Sequence, residues 1–170
     1  MPRAKAPAFL IRRAEPGDEA VIADLIRALA VYEKLEDLCV ATPEKIREQL
    51  FGPSPVAEAL LAFVDQTPAG FALFFRNFST FLARPGFYLE DIFIQPEFRA
   101  LGIGTALMRR LASMAVERGY GRVEWATLDW NELAHRRWRA IGAQCLDDWR
   151  LWRLTGPALA NLAAQDAPPP

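Results

Sequence analysis

The chain has 170 residues, 52% of them apolar, with five tryptophans and eleven phenylalanines, enough to build one domain around a sizeable core. Twenty basic and 21 acidic residues leave a net charge of −1, which offers no global field to nucleic acid or anionic lipid, and no apolar run approaches membrane-spanning length. The charged stretch Met1–Pro7 has no hydrophobic segment after it and does not read as a signal peptide. Cys39 and Cys145 lie far apart beside a single histidine. No metal site is expected from that set, and the two cysteines read as free thiols of a reducing cytoplasm or as one disulfide.

Residues 1–8 and the proline-ending 165–170 read as disordered ends around one folded domain over 9–164. Phe9–Arg12 is a first strand. Pro16-Gly17-Asp18 opens a helix whose apolar positions Val21, Ile22, Leu25, Ile26, Leu29 and Ala30 follow the 3.6-residue period. Thr42 caps a second helix, with Pro43 at its first position, running through Leu50. Ala59–Val64 is a buried strand, 66–70 a turn, and Phe71–Phe75 its hairpin partner. A loop over 76–87 leads to an apolar strand, 88–94. A glycine-bearing turn, 99–105, leads to a helix over 105–118 that ends at Gly119 and Gly121. Val123–Leu128 is a further strand, and Asn131 caps a helix to about Ile141. Cys145-Leu146 and Arg150–Leu154 are expected to close the sheet. The class is α/β (α+β): a mixed, mostly antiparallel central sheet flanked by helices.

The segment Arg99-Ala100-Leu101-Gly102-Ile103-Gly104-Thr105 carries the first chemical signal. Gly102 and Gly104 remove side chains where backbone N–H groups would be screened. A helix beginning near Thr105 aims its free N–H groups and positive dipole end into the turn, which suits a phosphate or pyrophosphate. Two glycines also make a plain tight turn. No lysine follows the last glycine, so this is not the Gly-Lys-Ser/Thr loop. Two glycines past the middle of the chain do not make a dinucleotide fingerprint.

Glu90 and Asp91 interrupt the apolar strand Tyr88-Leu89-Glu90-Asp91-Ile92-Phe93-Ile94. Burying carboxylates is costly without partners. One of them can point to solvent or pair with an arginine. The other reading is chemical: a carboxylate in a partly dry site can take the proton of an ammonium group, directly or through water. Neighbouring strand residues face opposite sides unless the strand bulges.

The Arg-x-x-Gly-x-Gly turn between strand and helix, with this element order, resembles the GNAT superfamily of acyl-CoA-dependent N-acetyltransferases. That resemblance implies a turn holding the CoA pyrophosphate and a bulge in the preceding strand. Within the superfamily, Tyr88-Leu89-Glu90-Asp91-Ile92-Phe93-Ile94, Tyr32-Glu33 and Asp129-Trp130-Asn131-Glu132 resemble the diamine (spermidine/spermine) and thialysine N-acetyltransferase branch over about residues 9–160. It implies acetyl-CoA contacts at Ile92, Phe93, Ile94, Arg99, Ala100, Leu101, Gly102, Ile103, Gly104, Thr105, Asn131 and Ala134. It implies a small-molecule amine held by Tyr32, Glu33, Glu90, Asp91, Glu124, Trp125, Ala126 and Asp147. Glu90 is the expected base. A homodimer is also implied, while the cysteines point to the cytoplasm and the net charge and hydropathy to no nucleic-acid or membrane partner.

Two departures from that branch bear on chemistry. The branch carries a tyrosine, as acid for the departing thiolate, where this chain has Trp138. An indole N–H donates hydrogen bonds but is no useful proton source near neutral pH. A thiolate leaves fairly well unaided, its thiol pKa being about 8.5. A slowed enzyme follows, or an acyl-CoA-binding or regulatory protein with weakened catalysis. The loop Asn77-Phe78-Ser79-Thr80-Phe81 lacks the acid found near this position in polyamine enzymes, which favours a small amine or an amino acid over a long polyamine. His135 reads as a surface residue. Arg136 and Arg137 read as a solvated basic face or as partners of CoA phosphates.

Overall fold

The computed structural model describes residues 8–165, so the two expected disordered ends lie outside the described residues but for Ala8 and Gln165. By contact density the chain divides into two compact units, one through Ala126 and one from Thr127.

The first unit holds the whole sheet: β1 (Phe9–Arg13), β2 (Glu58–Val64), β3 (Thr67–Ser79), β4 (Arg84–Ile94) and β5 (Val123–Trp125), in the order β1-β2-β3-β4-β5. The first three junctions are antiparallel, and β4 pairs β5 in parallel. Three helices accompany it: α1 (Glu19–Glu33), α2 (Pro43–Phe51) and α3 (Ile103–Glu117). Alternate strand residues divide the core. Ala59, Leu61, Phe71 and Phe93 pack with Ile22, Ala23, Leu25 and Leu29 of α1 and Ile46 and Leu50 of α2. The other parity, Leu60, Ala62, Ala72, Phe74, Phe87 and Leu89, is also buried. It faces the side taken by α3, whose Ile103, Leu107, Leu111 and Met114 form its buried stripe.

The caps read from sequence hold. Thr42 Oγ1 accepts from Lys45 N at 3.4 Å, and Pro43 fills the first helical position. Asp18 precedes α1, but its carboxylate takes a fork of two bonds from Arg12, at 2.6 and 2.8 Å, tying β1 to the helix start. That guanidinium holds the Asp18 carboxyl below the usual carboxylate range.

Three expectations are corrected. The hairpin turn is Asp65-Gln66, with φ of 46° and 65°, so two residues reverse the chain and pairing resumes at Thr67. Gly70 lies inside β3, where a Cβ would collide with the Phe93 carbonyl oxygen and Ile94 Cδ1. The expected 76–87 loop is mostly ladder, since pairs continue from Phe75–Tyr88 to Ser79–Arg84. Gly86 sits there because Asn77 Oδ1 and Arg122 O leave no room for a Cβ.

The third correction concerns the chain end. Residues 145–146 and 150–154 form no strand, and β5 stops at Trp125 rather than Leu128. An aromatic run reads as strand, but a strand exists only where a ladder accepts it. The second unit instead holds α4 (Glu132–Ala140) and α5 (Gly156–Gln165). The signal for α5 is Gly156-Pro157 followed by an Ala/Leu-rich run, a proline near the helix start followed by strong helix formers.

Candidate active site

Three segments of the first unit converge. The last turn of α1 carries Tyr32 and Glu33 and stops at Lys34, which takes a left-handed conformation (φ 60°) and returns its N–H to the Ala30 and Val31 carbonyls. Tyr32 lies against the core and meets the Phe93 ring at 6.1 Å. Phe93 is on β4, three residues before the short 3-10 turn Pro96–Phe98 begins. Arg99 follows that turn and lays its guanidinium 4.5 Å from the Tyr32 ring centroid and 5.9 Å from that of Phe93.

Strand β4 slips register by one residue between these segments. Leu73 pairs with Asp91 and Phe74 with Leu89, leaving Glu90 unmatched. This is a β-bulge, in which two residues oppose one. It breaks the alternation that would put the two acids on opposite faces. Asp91 follows Leu73 onto the α1 and α2 side, and Glu90 is exposed beside it.

Burial pushes the Asp91 carboxyl from 3.8 up to about 6, with further contributions from the negative charges of Glu90 and Glu33. Burial likewise raises the Glu33 carboxyl. Among the described residues none of the three carboxylates forms an ion pair, although seven ion pairs fasten the rest of the surface. The arginine partner that could have explained them structurally is absent from this set. Three like charges meeting at a bulge, two of them half-buried, cost stability that a bound cation would restore.

The turn after β4 has the backbone that a phosphate needs. Ala100 (φ 65°) and Gly102 (φ 84°) are both left-handed, and α3 begins at Ile103, two residues earlier than expected. Gly102 is its N-cap and supplies no side-chain bond to the first N–H groups. A Cβ at Gly102 would meet nothing within 4 Å, so the space before the helix is open. Backbone donors, helix dipole and open space fit the pyrophosphate of CoA. Toward β5, β4 is paired only over Phe87–Leu89. Beyond it, Ile92, Phe93 and Ile94 have no further strand on that side among the described residues.

The remaining expected residues fall elsewhere. Glu124 shares a face with its pairing partner Tyr88. Its Oε2 accepts from Asn77 Nδ2 at 2.9 Å and lies 2.9 Å from Arg122 Nε, an ion pair without hydrogen-bond geometry. Trp125, paired with Leu89, faces the α3 side, so the sheet separates it from Asp91; Ala126 closes the unit.

In the second unit, Asn131 Oδ1 accepts from Ala134 N at 3.2 Å and so caps α4. Trp138 Nε1 donates to Thr127 Oγ1 at 3.0 Å, which commits the only donor of the indole. The ring of His135 lies 3.3 Å from the Leu128 carbonyl. Asp147 is exposed, and its carbonyl accepts from Arg150 Nη1 at 3.0 Å. Thr127 and Asn77 are the partners that sequence reading missed; a hydroxyl or amide carries no pattern that predicts such a contact.

The profile of the Acetyltransferase (GNAT) family matches residues 22–143. Thialysine N-epsilon-acetyltransferase of Bos taurus is 36% identical, over 92% of this chain and 98% of its own length. L-ornithine N5-acetyltransferase NATA1 of Arabidopsis thaliana is 36% identical, over 88% and 85%. An integron cassette protein of V. cholerae superposes with a TM-score of 0.78 at 23% identity, covering 91% of this chain and 97% of that one, which bears on the fold. A bulged strand carrying unpaired acids, an open glycine-capped helix start and a matched profile over most of the chain lead to one conclusion: the chain belongs to the GNAT acetyltransferase family and is an acetyl-CoA-dependent N-acetyltransferase.

Proposed function

We propose that the protein acetylates a primary amine of a small diamino acid of the thialysine or ornithine type, by direct attack on acetyl-CoA in a ternary complex. One observation carries the reading: Glu33, Glu90 and Asp91 gather at the β4 bulge, and none of the three is in an ion pair among the described residues. That set draws in an alkylammonium group. The chain also lacks a carboxylate over 77–81, which fits a short substrate better than a long polyamine, and the relatives named above act on thialysine and ornithine.

The chemistry follows from the residues. Glu90, exposed at the bulge, takes the ammonium proton directly or through one water. The amine lone pair then attacks the thioester carbon. The backbone of Ile92–Ile94, paired with β3 but without a strand on its β5 side among the described residues, is assigned to polarise the carbonyl and accompany the pantetheine arm. The C–N bond forms as the C–S bond breaks, and the thiolate leaves to be protonated by solvent. Asp91 and Glu33 hold the substrate's positive charge. Glu124, Ala126 and Asp147 are assigned to the amine side by resemblance, whereas Trp125 pairs with Leu89 on the other face of the sheet and is left out of that set. Arg99 through Thr105, with Asn131 and Ala134, are assigned to CoA.

The same reading takes 9–164 as the catalytic domain. It expects a homodimer, supported by exposed Trp149, Leu151 and Trp152, and a cytoplasmic location, supported by free Cys39 and Cys145. The experiment is thiol release from acetyl-CoA with thialysine, ornithine, putrescine, spermidine and lysine. Faster turnover of the diamino acids is the expected result; no release with any amine, while CoA still binds, overturns it. The second reading, a weakened acyl-CoA-binding protein, rests on Trp138, whose N–H is already given to Thr127. It gains ground if CoA binds and the panel stays silent.

A further inference from the structure

Arg99 belongs to the cofactor turn by its backbone and to the amine side by its side chain. Its N–H donates to Pro96 O at 3.2 Å, which sets the start of the turn. Its Nε donates to the carbonyl of Ile94, the last residue of β4, at 3.2 Å. Its guanidinium lies over Tyr32 at 4.5 Å and reaches Phe93 at 5.9 Å. No carboxylate pairs with it among the described residues. One half-buried cation therefore touches the turn, the end of β4 and the last turn of α1.

We propose that Arg99 is a positioning residue that couples the two substrate sites: order imposed on the 99–105 turn by CoA is passed through the guanidinium to Tyr32, and so to the end of α1 that carries Glu33. This rests on the amine-site reading above only in what the ordered segment is for.

The physical case has three parts. The Arg99 Cα is in the turn, so any settling of the turn backbone moves the guanidinium across the Tyr32 face. The contact is made of ring faces and one hydrogen bond, without an ion pair, and is weak enough to be biased by a ligand. Beyond Tyr32, α1 ends at a left-handed lysine within two residues, followed by a short 3-10 turn, Glu36–Leu38. A helix end of that kind has low local stability and responds to one added contact. Planarity matters: an arginine can stack and donate through Nε at once, which a lysine cannot. Linkage makes the effect reciprocal, so an amine that orders Tyr32 and Glu33 tightens CoA to the same degree.

The test is amide hydrogen exchange of the full chain with and without CoA, which needs no amine and stands whether or not the amine reading survives. In the wild type, CoA is expected to slow exchange about fivefold at residues 33–38 as well as in the 99–106 segment. In Arg99→Gln, with CoA binding verified by calorimetry, protection should remain at 99–106 and vanish at 33–38. Arg99→Lys should recover part of it. Tyr32→Leu leaves the turn intact and should abolish the distant protection, while Tyr32→Phe, which keeps the ring, should retain it; this pair decides the matter if Arg99→Gln no longer holds CoA. Equal protection of 33–38 in Tyr32→Leu and wild type overturns the proposal, as does a wild type whose α1 end ignores CoA. With the best amine of the panel and saturating acetyl-CoA, Arg99→Gln should raise the amine KM about fivefold, and Tyr32→Phe should leave it near the wild-type value.

Discussion

Replacing Asp91 with Asn should make the protein more stable and less able to bind its amine. Burial, Glu90 and Glu33 hold the Asp91 carboxyl at about 6 instead of 3.8. In the unfolded chain that carboxyl ionises near 3.8, while the folded chain keeps its proton until about 6. Between those values the folded state binds more protons, so wild-type stability falls as pH rises. Below pH ~4 there is no cost, and above pH ~6 the cost is complete and constant. A gap of about 2.2 between 3.8 and about 6 corresponds to about 3 kcal/mol at 1.36 kcal/mol per pH unit. Partial exposure of Asp91 to water lowers that to roughly 1–3 kcal/mol. For a chain of this length each kcal/mol moves Tm by about 2–4 °C. Asp91→Asn should therefore melt about 2–12 °C above wild type at pH 8, with the gap closing toward pH 4. Thermal scans by circular dichroism across that range measure it directly. An equal gap at both pH values, or none at pH 8, refutes the argument that the wild type carries a like-charge cost at this carboxyl.

Glu90→Gln should cut kcat about 100-fold or more in the thiol-release assay, a usual loss for a positioned base, with CoA affinity within twofold of wild type. Gly102→Ala places a side chain at φ 84°, a cost of about 1–2 kcal/mol. It should weaken CoA binding by calorimetry about tenfold while leaving the sheet's circular dichroism intact. Trp138→Phe loses the bond to Thr127 and should cost about 1 kcal/mol in denaturant unfolding. Trp138→Tyr restores a phenolic proton donor and should raise kcat at least tenfold if a missing acid limits turnover; an unchanged kcat would show that solvent protonates the thiolate well enough.

Helix α1 was legible because burial imposed a period: its predicted apolar positions Ile22, Leu25 and Leu29 are buried against the sheet, whereas α5, with no buried residue among its members, was not read. Thr42 and Asn131 were legible because a cap is a local bond to an N–H three residues on. Strand ends were not. Asp65 and Gln66 turn the chain without glycine, and Pro85 and Gly86, the usual marks of a loop, lie in a ladder. The terminal aromatic run lacked what no sequence window shows, a strand to pair with. At the site, the two acids stood out in an apolar strand, but parity alone could not tell which would be buried. That depended on the slip at Glu90, which belongs to the pairing with β3. The stacking of Arg99 on Tyr32 joins residues 67 positions apart and has no local signature.

The short pairing of β4 with β5 has a colloidal consequence. Past Leu89 the β5-side edge of β4 runs through Asp91-Ile92-Phe93-Ile94 with no strand alongside among the described residues, an apolar, β-prone stretch of the kind that recruits another chain. Glu90 and Asp91 head that stretch as gatekeepers, since stacking two copies in register would set their unpaired charges against one another. The repulsion that the folded chain tolerates at its bulge is thus also a charge against fibrous pairing, and Asp91→Asn trades part of that protection for folding stability.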